Sequence, residues 1–384
     1  MAVSRALPHE AQPAAPAAAP SATVPVARPR LPPAEAVLPY LQRIDEARWY
    51  SNFGPLLTEF EARLAGRYRP GTEVVTAANA TQALAITLQA MDLPAGGYVA
   101  MPSWTFVATA HAVIQAGMKP WFIDVDPQTW MLDPASVMKI PAQTRPQIAA
   151  VIPVCAFGAT AGLSRWRAFH EATGTPVLID AAAAFDALDD ARLPSVVSLH
   201  ATKVAGLGEG GYLATEDAAL AARVRQLTTF GFDGTRDSAM PATNAKLSEY
   251  AAAVGLAAQD AWPGDRLRWL RTAQMLRIAL IGLPQVEFQP GWGSEWATSV
   301  CVVRLPEGSA ETVEASLKAD GVDTRRWWGG GCHTSTAFVD CRREALPVTD
   351  SLARSTIGLP FAIDMDAHDI ARIAAALDRA LSCG

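Results

Sequence analysis

Between residues 73 and 215 the chain repeats one theme, a short apolar run followed by a stretch whose apolar positions recur at helical spacing, as in 82–91. The runs fall at 73–76, 98–101, 120–123, 148–154, 176–179, 196–199 and 212–215. Short apolar runs of this kind predict strands buried on both faces, and their alternation with helical patterns predicts a mostly parallel sheet covered on both sides. A helical pattern at 247–261 then meets Trp262, Pro263 and Gly264, which predict a break. Beyond it a strand at 299–304 and helices at 311–320 and 366–381 predict a smaller α+β unit. The expected organisation is a large domain over 36–261 and a small one over 262–384, with no internal repeat.

Residues 1–35 differ from everything that follows. Alanine favours helix there, but Pro13, Pro16, Pro20, Pro25, Pro29, Pro32 and Pro33 interrupt every turn, so a disordered tail without chemistry is expected. It lacks the leucine-rich core of a signal peptide, and its few arginines and missing amphipathic face argue against a transit peptide.

Candidate chemistry centres on Lys203, which ends the stretch Ser198, Leu199, His200, Ala201, Thr202, Lys203 and precedes a glycine-rich turn from Gly206 to Gly211. A lysine between a strand and a flexible turn can present its amine to a bound aldehyde, which suggests pyridoxal phosphate, with Ser198 available to the phosphate. Many lysines so placed are simply solvated. Upstream, the run 176–179 ends in Asp180, followed by four alanines. A carboxylate at the carboxyl end of a parallel strand can hold a protonated pyridine nitrogen, or it can cap the next helix. Asn79, Ala80 and Thr81 follow the first strand, so the amides of Ala80 and Thr81 fall at a helix N-terminus that suits phosphate, a role compatible with Thr81 as a plain cap.

Further segments carry a resemblance. Residues 102–109 (PSWTFVAT), 116–120 (AGMKP), 122–127 (FIDVDP) and the Lys203 stretch resemble the DegT/StrS family of nucleotide-sugar aminotransferases, as do Gly54 with Pro55, Glu59 to Glu61, residues 244–249 (NAKLSE) and 357–361 (IGLPF). The likeness runs from about Tyr40 to the end of the chain. It implies the aspartate aminotransferase-like fold type I of pyridoxal phosphate enzymes, and a homodimer with shared active sites. It also implies roles: Lys203 as the amine that binds the cofactor and moves the proton, Asp180 on the pyridine nitrogen, Phe106 against the ring, and Ala80, Thr81 and Ser198 on the phosphate. Asn244 would reach the phosphate of the neighbouring subunit. His333, after Arg325, Arg326, Trp327, Trp328 and three glycines, would lie in the loop that meets the sugar nucleotide. Arg325 and Arg326 are candidates for its diphosphate, and the paired tryptophans read equally as a base-stacking loop or a packed anchor. The implied reaction moves an amino group from L-glutamate to a nucleotide-linked keto-deoxysugar, first a dTDP-4-keto-6-deoxyhexose, with a 3-keto isomer in reserve. The amino-sugar product would enter O-antigen, lipopolysaccharide or other glycans and glycosides.

The chain departs from that pattern at three places. Ala183 stands where relatives have Gln or His near the cofactor, Ala80 replaces a glycine of the phosphate turn, and Cys155, Ala156, Phe157, Gly158 stand where a histidine precedes an aromatic and glycine pair. Ala183 keeps open a catalytically silent binding or regulatory protein as the rival reading; Lys203 argues against a deoxygenating relative. With 384 residues, half of them hydrophobic, the chain can bury a large core, and a formal charge of −6 gives no electrostatic reason to expect nucleic acid. Five scattered cysteines show neither a disulfide framework nor a zinc spacing, so a reduced, cytoplasmic protein without a metal is expected. No apolar stretch reaches membrane-spanning length.

Overall fold

The computed structural model of the protein describes residues 23–160 and 162–382. All seven apolar runs contribute strands: β1 (Glu73–Ala77), β2 (Tyr98–Pro102), β3 (Lys119–Ile123), β4 (Ile148–Val151), β5 (Ile179–Asp180), β6 (Ser195–Ser198) and β7 (Gly211–Thr215). They pair in two ladders, β1-β7-β6-β5 and β3-β2-β4, which parallel bridges from Val151 to Val177 and from Val154 to Asp180 join into one sheet. β7 is antiparallel to both its neighbours, while β2 pairs in parallel with β3 and β4, and β5 with β6.

Continuous apolar runs are explained by two separate cores. In β2, Val99 and Met101 join one cluster, with Leu84 of α3 (Ala80–Ala90), Val113 of α4 (Val107–Gln115) and Val224 of α7 (Ala218–Leu227). Ala100 between them joins the other, with Phe60 of α2 (Pro55–Ala65), Trp166 of α6 (Leu163–Thr173) and Leu256 of α8 (Glu249–Ala279). Alternate residues thus feed opposite faces, and neither face can be polar. α1 (Ala34–Ala47) packs Val37 and Ile44 into that second cluster, and α5 (Pro134–Met138) adds Val137.

The C-terminal part holds a three-stranded antiparallel sheet, order β11-β9-β8, from β8 (Glu287–Phe288), β9 (Cys301–Arg304) and β11 (Thr356–Leu359). α9 (Ala310–Ala319), α10 (Pro347–Ser355) and α11 (Ala367–Ser382) accompany it. Three sequence expectations need correction. No break occurs at 262–264: α8 runs through Pro263 to Ala279. Proline removes one helical hydrogen bond, but Trp262 and Trp269 on either side bury their indoles in the core, and tertiary packing of that kind outweighs the local penalty. Residues 23–35 are not a disordered tail: Val24 lies fully buried and pairs with Val322 through Val24 N–H to Gly321 O (2.8 Å) and Asp323 N–H to Val24 O (3.0 Å). Arg28 forms an ion pair with Asp369 of α11, and α1 begins at Ala34; residues 1–22 lie outside the described residues. Finally, β10 (Arg342–Arg343) crosses back to pair in parallel with β3 of the large sheet. Among the described residues, no helix is long and apolar enough to cross a membrane.

Candidate active site

Three strands and a helix start meet at one end of the large sheet. In register, Ala77 of β1 and Ser198 of β6 both lie opposite Gly211 of β7. Gly211 is in turn pressed against α3: a Cβ there would lie 2.5 Å from Ala80 N. Ser198 therefore sits beside the first amides of α3, which have no carbonyl partner within their own helix. Asn79 caps that helix through its side-chain oxygen and Gln82 N–H (2.9 Å), leaving Ala80 and Thr81 as its first residues. The Ser198 hydroxyl oxygen accepts His200 N–H (3.2 Å), so its own proton remains for another acceptor. Helix start, small residues and a spare hydroxyl are the donor set a phosphate requires.

Lys203 follows in a tight loop. His200 O accepts Lys203 N–H (2.8 Å), Lys203 O accepts Gly206 N–H (3.1 Å), and Gly206 has no room for a side chain, since its Cβ would meet His200 O at 2.8 Å. The amine is enclosed even though part of the residue reaches the surface, and burial pushes its pKa down, with the charge of Asp180 opposing. Asp180, at the end of β5, is buried; burial pushes its pKa up, while Thr109, the Ala182 amide and Lys203 pull it down. Thr109 O–H donates to Asp180 Oδ2 (2.7 Å) and Ala182 N–H to Oδ1 (3.1 Å). The carboxylate thus serves as more than a cap for the alanines behind it. Phe106 is the N-cap of α4, one turn before Thr109, with its ring more than half exposed. Ala182 and Ala183 are half-buried and present only methyl groups.

The remaining expected residues divide. Arg325 is exposed, its guanidinium 5.1 Å from the Trp327 ring centre. Arg326 is engaged: its Nε–H donates to Glu314 Oε2 (2.8 Å) and another N–H to Ala353 O. Trp327 packs so closely on Gly358 that a Cβ there would lie 2.3 Å from the indole nitrogen. Trp328, by contrast, stacks on Phe157 (ring centres 3.9 Å apart) with Trp104 edge-on to it at 5.3 Å. Phe157 holds a left-handed backbone (φ 53°), an outlier for a bulky residue, with its carbonyl bonded to the Thr298 hydroxyl (2.8 Å). His333 is fixed at both ring nitrogens. His333 Nδ1 lies 2.8 Å from Ser103 Oγ, which also accepts the backbone N–H of His333 (3.1 Å), and Nε2 lies 3.4 Å from Asp350 Oδ1. Burial pushes the His333 pKa below its usual value.

Asn244 lies apart from these groups. It is exposed, bridges to Thr229 and accepts Lys246 Nζ at its side-chain oxygen. Nearby Glu249 is buried at the start of α8 and accepts Leu56 N–H (2.9 Å) and Leu57 N–H (2.7 Å) at the start of α2. Sequence reading missed Thr109, Gly211, Ser103 and Glu249. For Thr109 the only local signal is its i,i+4 spacing from Thr105.

The donors at the start of α3, with the enclosed Lys203 amine and the buried Asp180, fit pyridoxal phosphate: a helix start held close to β7 by Gly211, a donor set for the phosphate, and a buried carboxylate for the ring nitrogen. The chain is similar to known proteins over nearly its whole length. It is 31% identical to UDP-2-acetamido-2-deoxy-3-oxo-D-glucuronate aminotransferase of Pseudomonas aeruginosa, with 84% of this chain and 90% of that protein covered. It is 25% identical to dTDP-4-amino-4,6-dideoxy-D-glucose transaminase of Escherichia coli, covering 91% and 97%. The crystal structure of DesI with its TDP-sugar product superposes with a TM-score of 0.84 at 35% identity, covering 96% of each chain. Residues 34–378 match one family throughout, and the chain belongs to the DegT/DnrJ/EryC1/StrS aminotransferase family.

Proposed function

We propose that this aminotransferase moves the amino group of L-glutamate to the ketone of a nucleotide-linked keto-deoxysugar, first a dTDP-4-keto-6-deoxyhexose, for glycan or glycoside biosynthesis. The observation that carries the reading is the enclosed Lys203 amine beside the buried, doubly hydrogen-bonded Asp180. Pyridoxal phosphate, when bound, supplies the electron sink for transamination. Lys203, its pKa lowered by burial, would take the proton from the donor carbon and return it to the sugar carbon. Asp180 would hold the ring nitrogen in its charged form, Phe106 would cover one ring face, and Ala80, Thr81 and Ser198 would fix the phosphate. Beyond them, the exposed Arg325 guanidinium would meet a diphosphate, while Arg326 and Trp327 would shape its loop rather than touch substrate. His333, with both ring nitrogens engaged, would act by placing that loop against Ser103.

TDP chemistry is supported by DesI and by the Escherichia coli relative. The Pseudomonas relative acts on a 3-oxo sugar, which supports a 3-keto substrate as the second reading. Purified protein with glutamate and each keto-sugar nucleotide in turn separates the two by which one yields 2-oxoglutarate. Production from neither would overturn the assignment.

The active unit is read as a homodimer with shared sites, Asn244 reaching the phosphate of the partner. Exposed Tyr50, Phe230 and Tyr250 around the same segment support an interface there, with Tyr50 and Tyr250 stacked at 6.4 Å. Mixing inactive Lys203→Ala and Asn244→Ala proteins should restore activity after subunit exchange. A mixture as inactive as its parents would exclude the shared site. A cytoplasmic location is consistent with Cys301, Cys332 and Cys341 standing outside any disulfide among the described residues; Cys383 lies outside those residues.

A further inference from the structure

Buried threonines in helices usually return their hydroxyl proton to the carbonyl one turn back. Thr87 of α3, fully buried, does so here, donating to Ala83 O (2.7 Å). Thr109 does not. Its hydroxyl turns out of α4 to Asp180 Oδ2 at 2.7 Å, and the carbonyl it would otherwise use, Thr105 O, accepts Cys332 Sγ–H instead (3.4 Å). A hydroxyl has one proton, and that of Thr109 is given to the carboxylate. At the 2.9 Å contact between Thr105 Oγ1 and Thr109 Oγ1, Thr105 is therefore the donor. Thr105, Thr109 and Asp180 are at most 5% exposed, so water does not compete along this line.

We infer that Thr105 and Thr109 form a one-way hydroxyl relay that orients Asp180 and keeps it ionised, making Thr109 a positioning residue for the reaction. The relay rests on the reading that Asp180 holds the ring nitrogen of the cofactor. A carboxylate buried among apolar groups favours its neutral form, and hydrogen bonds to its oxygens favour the charged one. The Ala182 amide fixes one oxygen. Thr109 fixes the other, and Thr105, by donating to Thr109, polarises that bond and prevents the Thr109 rotamer from swinging back to its own helix. A neutral or rotated Asp180 would no longer stabilise a protonated nitrogen, so the relay bears on cofactor affinity and on turnover more than on sugar binding.

Thr109→Val keeps the shape and removes the donor, while Thr109→Ser keeps the donor and trims the shape. Each protein, with Thr105→Val and Asp180→Asn alongside, is titrated with pyridoxal phosphate, followed through the pH dependence of its visible absorption, and assayed for kcat and KM. For Thr109→Val the expected result is cofactor affinity lower by about three- to tenfold, less than for a lost hydrogen bond to the cofactor itself because Thr109 acts through Asp180. Its absorption titration moves, kcat falls and KM for the keto-sugar stays within about twofold. Thr109→Ser restores these values, and Thr105→Val shifts them less in the same direction. The relay is overturned if Thr109→Val matches the wild type in affinity and titration, or if valine and serine are equally impaired, which would indicate packing. Should Thr109→Val not fold, Thr105→Val decides by the same readouts. Unimpaired Asp180→Asn would instead remove the role of Asp180 itself.

Discussion

Gly211→Ala tests the geometry of the phosphate cradle more directly than removal of any polar group. The new methyl would sit 2.5 Å from Ala80 N, 2.7 Å from Ala80 Cα and 2.9 Å from the Asn79 carbonyl carbon, all backbone atoms, where ordinary contact begins at 3.4 Å. No rotamer can relieve this. The start of α3 has to move away from β7 by about an ångström, and overpacking of that kind costs about 1–3 kcal/mol of stability. The same shift carries the Ala80 and Thr81 amides away from Ser198. Loss of one charge-assisted hydrogen bond, about 1.5–3 kcal/mol, corresponds to cofactor binding weaker by about ten- to hundredfold. Urea unfolding of the cofactor-free protein gives the first quantity, and titration with pyridoxal phosphate followed by tryptophan fluorescence gives the second. A stability loss with unchanged cofactor affinity would refute α3 as the phosphate seat. If neither changed, the close approach of β7 to α3 would itself be wrong.

Lys203→Ala should abolish transamination while the protein stays folded and still binds cofactor measurably, since the phosphate contacts remain; near-normal turnover would end the assignment. Asp180→Asn should lower kcat by orders of magnitude with little change in KM for the sugar, whereas a change confined to KM would return Asp180 to a structural role. Gly264→Ala, at an exposed position inside α8 with nothing within 4 Å of the added methyl, should raise stability by about 0.5–1 kcal/mol in urea unfolding, and a loss would mean the helix is strained there. His333 supplies a pH signature. Its folded pKa lies below the ordinary 6.5, so as pH falls below that value the unfolded chain takes up a proton that the native protein resists, and stability is lost through the folded pKa. His333→Asn, whose amide can still hydrogen-bond Ser103, should flatten this slope; an unchanged slope would assign it to other groups.

Much of this was legible because it is local. The strands show as apolar runs because each is buried on both faces, and Asp180, Ala80 and Ser198 lie at strand or helix ends, with Lys203 in the loop after β6, where ligands of such sheets collect. What stayed hidden depends on partners distant in sequence. Thr109 reaches Asp180 across 71 positions and Ser103 reaches His333 across 230, and no local pattern names either partner. Arg326 shows the converse. Its place beside Arg325 suggests a phosphate ligand, yet Glu314 on α9, twelve positions away, claims its Nε–H. Pro263 misled for a physical reason: the proline rule is local, and the packing of Trp262 and Trp269 that overrides it is not.

The pairing of Val24 with Val322, and of Phe361 N–H with Val26 O (3.2 Å), bears on how the molecule is made. Among the described residues, the earliest to leave the ribosome find partners among the latest. Until then Val24 and Val26 stay without their native backbone partners, while the large sheet can assemble from strands that follow one another closely in sequence. Completion of the C-terminal unit is thus a late event that requires both ends of the chain at once, a loop closure of high contact order. An extension or cleavage near residue 24 would be felt at the opposite terminus before it was felt at the active site.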